Sequence, residues 1–189
     1  TIRLMSGILA GRDFESTLDG DLSIRKRPMK RIIKPLSMMG ANISALNNNE
    51  NAPINFLGGN LSDLNYELPV ASAQLKSALI LAGLRSNGKV IIKEKDVSRD
   101  HTEKMFKSLN IPMKIKKTGK YDYITVSRPN FIKKIDFNIP GDISSAAFFI
   151  VLEQTLGSYT ENWQFWLGLI LILEILYVRS GILSLFDFF

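Results

Sequence analysis

The stretch from Val70 to Leu84 leaves a chain of this length the fewest choices. Leu75, Ala78, Leu79 and Ala82 lie on one face of a helix there and Ile80 and Leu81 on another, and a helix that is apolar around its circumference has to be buried on all sides. The rest of the fold must therefore wrap this segment. Gly88 is the expected stop, and Val90-Ile91-Ile92 reads as the strand that follows. Other elements supply the wrapping. Ile2, Leu4, Met5, Ile8 and Leu9 show helical spacing from the first residue on; Met29, Ile32, Ile33, Leu36 and Met39 put one face of a helix inward, with Gly40 ending it. Thr102, Met105, Phe106 and Leu109 repeat that pattern and run into a short extended segment, Ile111 to Ile115, while Tyr121 to Val126 alternates as a strand. Met39 and Leu109 are 70 residues apart, as in a degenerate internal repeat whose unit opens a helix from a basic Ser/Arg loop. After a Pro140-Gly141-Asp142 turn, Ser144 to Leu152 reads as a further apolar helix. Interleaved helices and strands of this kind imply an α/β (α+β) fold of repeated units.

Composition removes several chemistries. With no cysteine there is no disulfide scaffold and no thiolate nucleophile, and one histidine leaves little for a metal site. Carboxylates, Lys, Arg, Ser and Gln must carry any function. The charge is unevenly placed: residues 157–189 hold one Arg against three acids, so the formal +6 of the chain becomes +8 over residues 1–156. A cationic body suits an anionic small molecule, a nucleic acid or an acidic membrane surface, or is simply a solvated surface. No signal or transit segment is visible, and the opening inside a helical pattern at Thr1 leads to the expectation that sequence is missing upstream. Beyond Leu156 the pattern changes. Residues 163–178 contain one charge, Glu174, with tryptophans at the start and Tyr177 and Arg179 at the end, as in a bilayer segment with interfacial aromatics, although 16 residues fall short of the roughly 20 of a comfortable span.

Three loops place small polar residues and cations where a helix begins, and oriented N–H groups with the helix dipole favour anions there. The first is Ser23-Ile24-Arg25-Lys26-Arg27-Pro28, with Pro28 expected at the first helical position; a solvated basic face is the plain alternative. In the second, Val70-Ala71-Ser72-Ala73-Gln74-Leu75-Lys76-Ser77, polar Ser72 and Gln74 open a buried helix and need partners, unless Ser72 only caps it. The third is Val97-Ser98-Arg99-Asp100-His101-Thr102-Glu103, where Ser98 or Asp100 could cap and Glu103 complete a capping box.

Together these loops, in this order, resemble the 5-enolpyruvylshikimate-3-phosphate synthase family. Thr1-Ile2-Arg3-Leu4-Met5 is similar to the end of that family's phosphoenolpyruvate loop. Asp21 to Met29, Pro35-Leu36 with Met39-Gly40-Ala41, Val70 to Ala78, Ser98 to Glu103, and Gly141-Asp142-Ile143-Ser144-Ser145-Ala146 follow in family order, and the resemblance covers residues 1–155. It implies one lobe of the enolpyruvyl transferase fold, built from βαβαββ-type units with about two of three present, plus an extra C-terminal hydrophobic helix. The implied organisation is 1–138 partial N-terminal lobe and 139–156 crossover and start of the second lobe; the tail 157–189, from Ser158-Tyr159-Thr160-Glu161-Asn162-Trp163 through Arg179-Ser180-Gly181-Ile182-Leu183, instead resembles the last helix of a branched-chain amino-acid transporter permease. Ser72-Ala73-Gln74, where other members have Ser-Ser-Gln, resembles the bacterial branch of lower glyphosate sensitivity.

The resemblance further implies carboxyvinyl transfer from phosphoenolpyruvate to the 5-hydroxyl of shikimate 3-phosphate, without metal or organic cofactor, in a cytoplasmic monomer. Ser72, Ala73, Gln74, Ser98 and Arg99 would take shikimate 3-phosphate; Arg27, Gln74 and Arg3 would serve phosphoenolpyruvate; Asp142 would sit behind them at the crossover between lobes. No catalytic residue is expected in the chain, because the family's Lys-Ser and Arg would precede Thr1 and its Asp, Glu and Lys would lie in the second lobe. A different class of reading is a membrane-anchored basic accessory domain that contacts lipid through residues 163–178. A nucleic-acid module is the weakest, since no aromatic-rich binding strand accompanies the charge.

Overall fold

A computed structural model of the chain describes residues 1–45, 50–132, 134 and 136, and beyond these the single positions or short runs 151, 154–155, 162, 164–166, 168–169 and 172. The chain divides into two compact units, Thr1–Ile135 and Asp136–Phe189. In the first, the order is α1 (Ile2–Leu9), β1 (Ser16–Leu18), α2 (Leu22–Arg25), α3 (Lys30–Met38), β2 (Ile43–Ala45), β3 (Ile54–Phe56), β4 (Leu64–Glu67), α4 (Ala73–Gly83), β5 (Val90–Glu94), α5 (His101–Ser108), β6 (Met113–Lys117) and β7 (Asp122–Val126). The α/β class read from the sequence is the class observed.

The internal repeat is visible in the sheets. β4 to β7 form a four-stranded sheet in the order β4-β5-β7-β6, and β1 to β3 form a three-stranded sheet in the order β1-β3-β2. In the first hairpin Ile43 faces Phe56, and in the second Met113 faces Val126, a shift of 70 residues on both strands. Elements β4-α4-β5-α5-β6-β7 thus spell one whole βαβαββ unit, and α1-β1-α3-β2-β3 repeats all of it except the opening strand. Each central strand is buried on one face: Ile54 and Phe56 in β3, Ile124 and Val126 in β7. Edge strand β6 instead points Lys114, Lys116 and Lys117 outward, and charge on an open edge discourages pairing with another chain.

Helix α4 lies at the centre, with Leu75, Ala78, Leu79, Ile80 and Ala82 buried. At about 1.5–3 kcal/mol for each large apolar side chain removed from water, this helix is a main source of the core's stability. Its closest neighbour is α1. Arg3 meets Gln74, Gly7 meets the Ala78 backbone and the Arg85 Nε donates to the Gly11 carbonyl at 3.2 Å, so the helices run parallel, start beside start. A Cβ on Gly7 would stand 2.1 Å from the Ala78 oxygen; only glycine permits that approach.

Several expectations need correction. α4 ends at Gly83, not near Gly88; Gly88 serves a close crossing, since its Cβ would fall 2.6 Å from the Asp63 Cβ. Pro28 is not the first residue of α3, which begins at Lys30 with Met29 as N-cap, and Ser23 to Arg25 belong to a short helix of their own capped by Asp21, whose Oδ1 accepts from the Ile24 N–H at 2.8 Å. Strand β6 starts at Met113, two residues later than the extended segment expected from Ile111. Met105 is 38% exposed, because α5 turns Phe106 rather than Met105 inward. The helix expected at 144–152 and the crossover at 139–156 lie largely outside the described residues, as does Trp163 of the tail. Phe165 and Trp166 are 65% and 49% exposed. Among the described residues no helix is long and apolar enough to cross a membrane.

The Gly7 contact gives a direct test. Alanine at a helix interior gains about 1 kcal/mol over glycine in propensity, but forcing a methyl group into packed backbone costs typically ~1–3 kcal/mol, and at 2.1 Å the larger figure applies. Gly7→Ala is therefore expected to lower the urea midpoint of the chain, read by circular dichroism. An unchanged or raised midpoint would show that α1 and α4 separate at no cost.

Candidate functional site

The parallel pairing of α1 and α4 puts two helix N-termini side by side, and their unpaired N–H groups and positive dipole ends add. In α4 the Lys76 N–H makes the first helical bond, to the Ser72 carbonyl, so the Ala73 and Gln74 N–H groups precede the helical ladder. Ser72 is the N-cap, its Oγ accepting from the Leu75 N–H at a long 3.4 Å. The capping reading of Ser72 is therefore realised, and the partner that Gln74 required is Arg3: Nη1 donates to Gln74 Oε1 at 2.8 Å. Arg3 also reaches the Pro28 carbonyl at 3.5 Å, tying the α1 start to the loop that carries Arg27.

Arg3, Arg27 and Gln74 line one small cleft of about 60 Å³ together with Thr1, Ile24 and Met29. The basic run Arg25-Lys26-Arg27 is thus split between two tasks. Arg25 forms a double hydrogen bond with Asp19, through Nε at 2.9 Å and Nη2, and this holds the Asp19 carboxyl below its ordinary range and the Arg25 guanidinium above its own. Arg27, exposed, faces the cleft instead. A planar fork at such a place suits a carboxylate or phosphate.

The third loop is joined to α4 from below. Lys76, 1% exposed, lies in the second turn of α4 and bonds Glu94 Oε2 at 3.1 Å and Glu103 Oε1 at 2.7 Å, both carboxylates equally buried. Lys76 Nζ also donates to the Ser98 carbonyl at 3.3 Å, while Glu94 Oε1 accepts from the Ser98 N–H at 2.8 Å. One residue further along α4, Ser77 Oγ accepts from the Thr102 hydroxyl at 2.7 Å. Arg99, exposed, sits between these two ties. Asp100 is the α5 N-cap by position but makes no side-chain cap bond; it pairs with Lys104 at 2.9 Å, whose hydrogen bond holds its carboxyl below the usual range. The capping box expected from Glu103 is absent, because that carboxylate turns inward to neutralise Lys76. Ser98 Oγ and Glu103 Oε2 are buried and have no hydrogen-bond partner among the described residues.

The structure thus brings Arg3, Arg27 and Gln74 to one cleft at the paired helix starts, places Ser72 and Ala73 in the same turn as Gln74, and ties Ser98 and Arg99 to the next turn of α4. Asp142 lies outside the described residues. Sequence reasoning missed Lys76, Glu94 and Glu103, although a lysine inside a helix apolar all round already demands a buried carboxylate partner. A larger hollow, about 920 Å³ between α5 and the β6–β7 hairpin, is an open groove whose lining includes Lys89, Lys104, Lys107 and Lys114; it holds none of the predicted site residues, and size alone does not outweigh converging arginines and helix starts. No group of acidic or histidine side chains able to hold a metal occurs among the described residues.

Both the sequence and the fold of the chain have known relatives. Residues 1–158 match the family described as EPSP synthase (3-phosphoshikimate 1-carboxyvinyltransferase). A 3-phosphoshikimate 1-carboxyvinyltransferase of Thermotoga sp. (strain RQ2) is 48% identical over 152 residues, which are 80% of this chain and 35% of that protein; one from Staphylococcus aureus (strain Newman) is 50% identical over 151 residues, 80% and 34%. The solved EPSP synthase from Acinetobacter baumannii superimposes with a TM-score of 0.67 at 41% identity, covering 79% of this chain and 33% of that one. The chain spans about a third of the length of these relatives, and on the strength of both matched sequence and matched fold it belongs to the EPSP synthase family.

Proposed function

We propose that this chain provides the anion-binding part of a 3-phosphoshikimate 1-carboxyvinyltransferase, the enzyme that moves the enolpyruvyl group of phosphoenolpyruvate to the 5-hydroxyl of shikimate 3-phosphate. The observation that carries the reading is the meeting of Arg3, Arg27 and Gln74 at two parallel helix N-termini, inside a family match over residues 1–158. Arg27 grips the carboxylate or phosphate of phosphoenolpyruvate, and Arg3 supports it while orienting the Gln74 amide. Ser72, the Ala73 N–H, Ser98 and Arg99 receive the shikimate phosphate. Asp142 takes a supporting role by family resemblance. No catalytic acid, base or nucleophile is assigned within the chain, nor a metal or organic cofactor.

Carboxyvinyl transfer needs both polyanions held in one geometry, and such positioning can lower a barrier by ~7–11 kcal/mol. A polypeptide of a third of the relatives' length supplies part of it. The chain acts in the cytoplasm as a monomer on this reading, and residues 157–189, a permease-like segment suited to membrane contact, take no part in the site.

Calorimetric titration of shikimate 3-phosphate into the purified 189-residue chain tests the site. Binding is expected, and because a hydrogen bond to a charged group contributes about 1.5–3 kcal/mol, Arg99→Ala should weaken it about tenfold or more. Unchanged affinity would remove Arg99 from the site. In a phosphate-release assay with both substrates the same polypeptide is expected to stay at background, and deletion of residues 157–189 is expected to leave the binding constant unchanged. Turnover within tenfold of a full-length family member would refute the division of labour proposed here.

A further inference from the structure

The Lys76–Glu94–Glu103 cluster is costly for a purely structural device. Three charges are taken out of water, and only one of them is positive; a buried ion triad replaced by apolar side chains of similar volume is often equally or more stable. What the cluster does that apolar packing could not is hold Ser98 at both of its backbone polar atoms, the carbonyl by Lys76 and the N–H by Glu94. Glu103 touches neither of those atoms; it bonds Lys76 from the α5 side. Immediately after Glu94 the chain leaves β5 as a three-residue exposed loop, Lys95-Asp96-Val97, so it is the clamp that fixes where Ser98 sits. With it, Arg99 is bracketed by Ser98 on Lys76 and by Thr102 on Ser77, two successive residues of the helix that begins with Ser72, Ala73 and Gln74.

The geometry points to Lys76 and Glu94 as positioning residues of the anion site: they lock the Ser98 backbone to α4 so that Arg99 is presented at a fixed place relative to the Ser72–Gln74 turn. They contact no substrate themselves. The inference rests on the reading of the site given above, and adds to it that the affinity contributed by Arg99 depends on a buried clamp one layer beneath.

The test compares Glu94→Met with Glu103→Met in the full chain. Each leaves Lys76 one carboxylate, but only the first removes a Ser98 contact. Amide hydrogen exchange and calorimetric titration of shikimate 3-phosphate are read on both, alone and combined with Arg99→Ala. In Glu94→Met the Ser98 amide should exchange at least tenfold faster while Leu79 and Ile80 of the core stay protected, affinity should fall about tenfold, and adding Arg99→Ala should cost nothing more. In Glu103→Met both readouts should stay within about threefold, and Glu94→Gln, which returns an acceptor oxygen to Ser98, should rescue the loss. A full Arg99→Ala effect in the Glu94→Met background, or equal losses in the two methionine variants, overturns the proposal. If Glu94→Met does not fold, Lys76→Met/Glu94→Met/Glu103→Met, uncharged at nearly constant volume, carries the same comparison. A protected Ser98 amide in an unsubstituted chain that does not bind shikimate 3-phosphate would defeat the reading of the site itself and leave the clamp structural only, whereas binding with an additive Arg99 effect would defeat the clamp alone.

Discussion

Everything in the first unit depends on how closely α1 and α4 approach. Because Gly7 presents no side chain to the Ala78 backbone, the two helices can lie in contact along their length and in the same direction. Parallel contact is electrostatically unfavourable for the helices themselves, since like dipole ends are brought together. The compensation is burial of the apolar girth of α4, and the consequence is a concentration of unpaired N–H groups at one end. Arg3 bonds across that end to Gln74, so the contact that packs the core also places the polar residues of the cleft.

A buried lysine then extends the arrangement to the third loop. Lys76 could not remain in the core without carboxylates, and the two it acquires come from the end of β5 and the start of α5. The loop between those elements is therefore tethered to α4 at the residues next to the candidate phosphate contacts. Exposed pairs such as Lys104 with Asp100 or Lys93 with Glu67 contribute little by comparison, because solvent screens them and two long side chains must be ordered to make them.

The repeat explains why these features recur in order. A 70-residue shift maps one hairpin register onto the other, and α1 corresponds to α4 as the helix that comes before the corresponding unit strand, β1 or β5. Each unit has a sheet with one buried face and two helices, α1 and α3 or α4 and α5, and a layer of this kind needs a partner to complete its core; the packing of α1 on α4 joins the two. Arg3 and Gln74, 71 residues apart, are each the second residue of their helix, so the two starts meet with a cation on one and an amide on the other.

Much of this was legible in the chain itself. Apolar girth required that α4 be central, the 3.6-residue period marked α1, α3 and α5, alternation marked β7, and the ordered loops carried a family resemblance that placed Arg3, Arg27, Ser72, Ala73, Gln74, Ser98 and Arg99 at a common task, because these are local patterns of side-chain type along a known geometry. Element ends were less legible: Gly88 looked like a helix stop, yet its role is set by Asp63 passing over it, and Pro28 looked like a helix start although the preceding turn was already committed to a helix capped by Asp21. The roles of Arg25 and Glu103 were hidden for the same reason. Whether a cation is consumed by a neighbouring carboxylate, as Arg25 is by Asp19, or a carboxylate caps its own helix or turns inward to a lysine 27 positions earlier in the sequence, as Glu103 does to Lys76, depends on distances between segments far apart in the chain. Sequence determined which elements form and which residues have the chemistry to hold an anion; the tertiary structure alone decided which of those charges are spent on one another and which remain to face the cleft, because Coulomb and hydrogen-bond energies are set by separation in space and by burial.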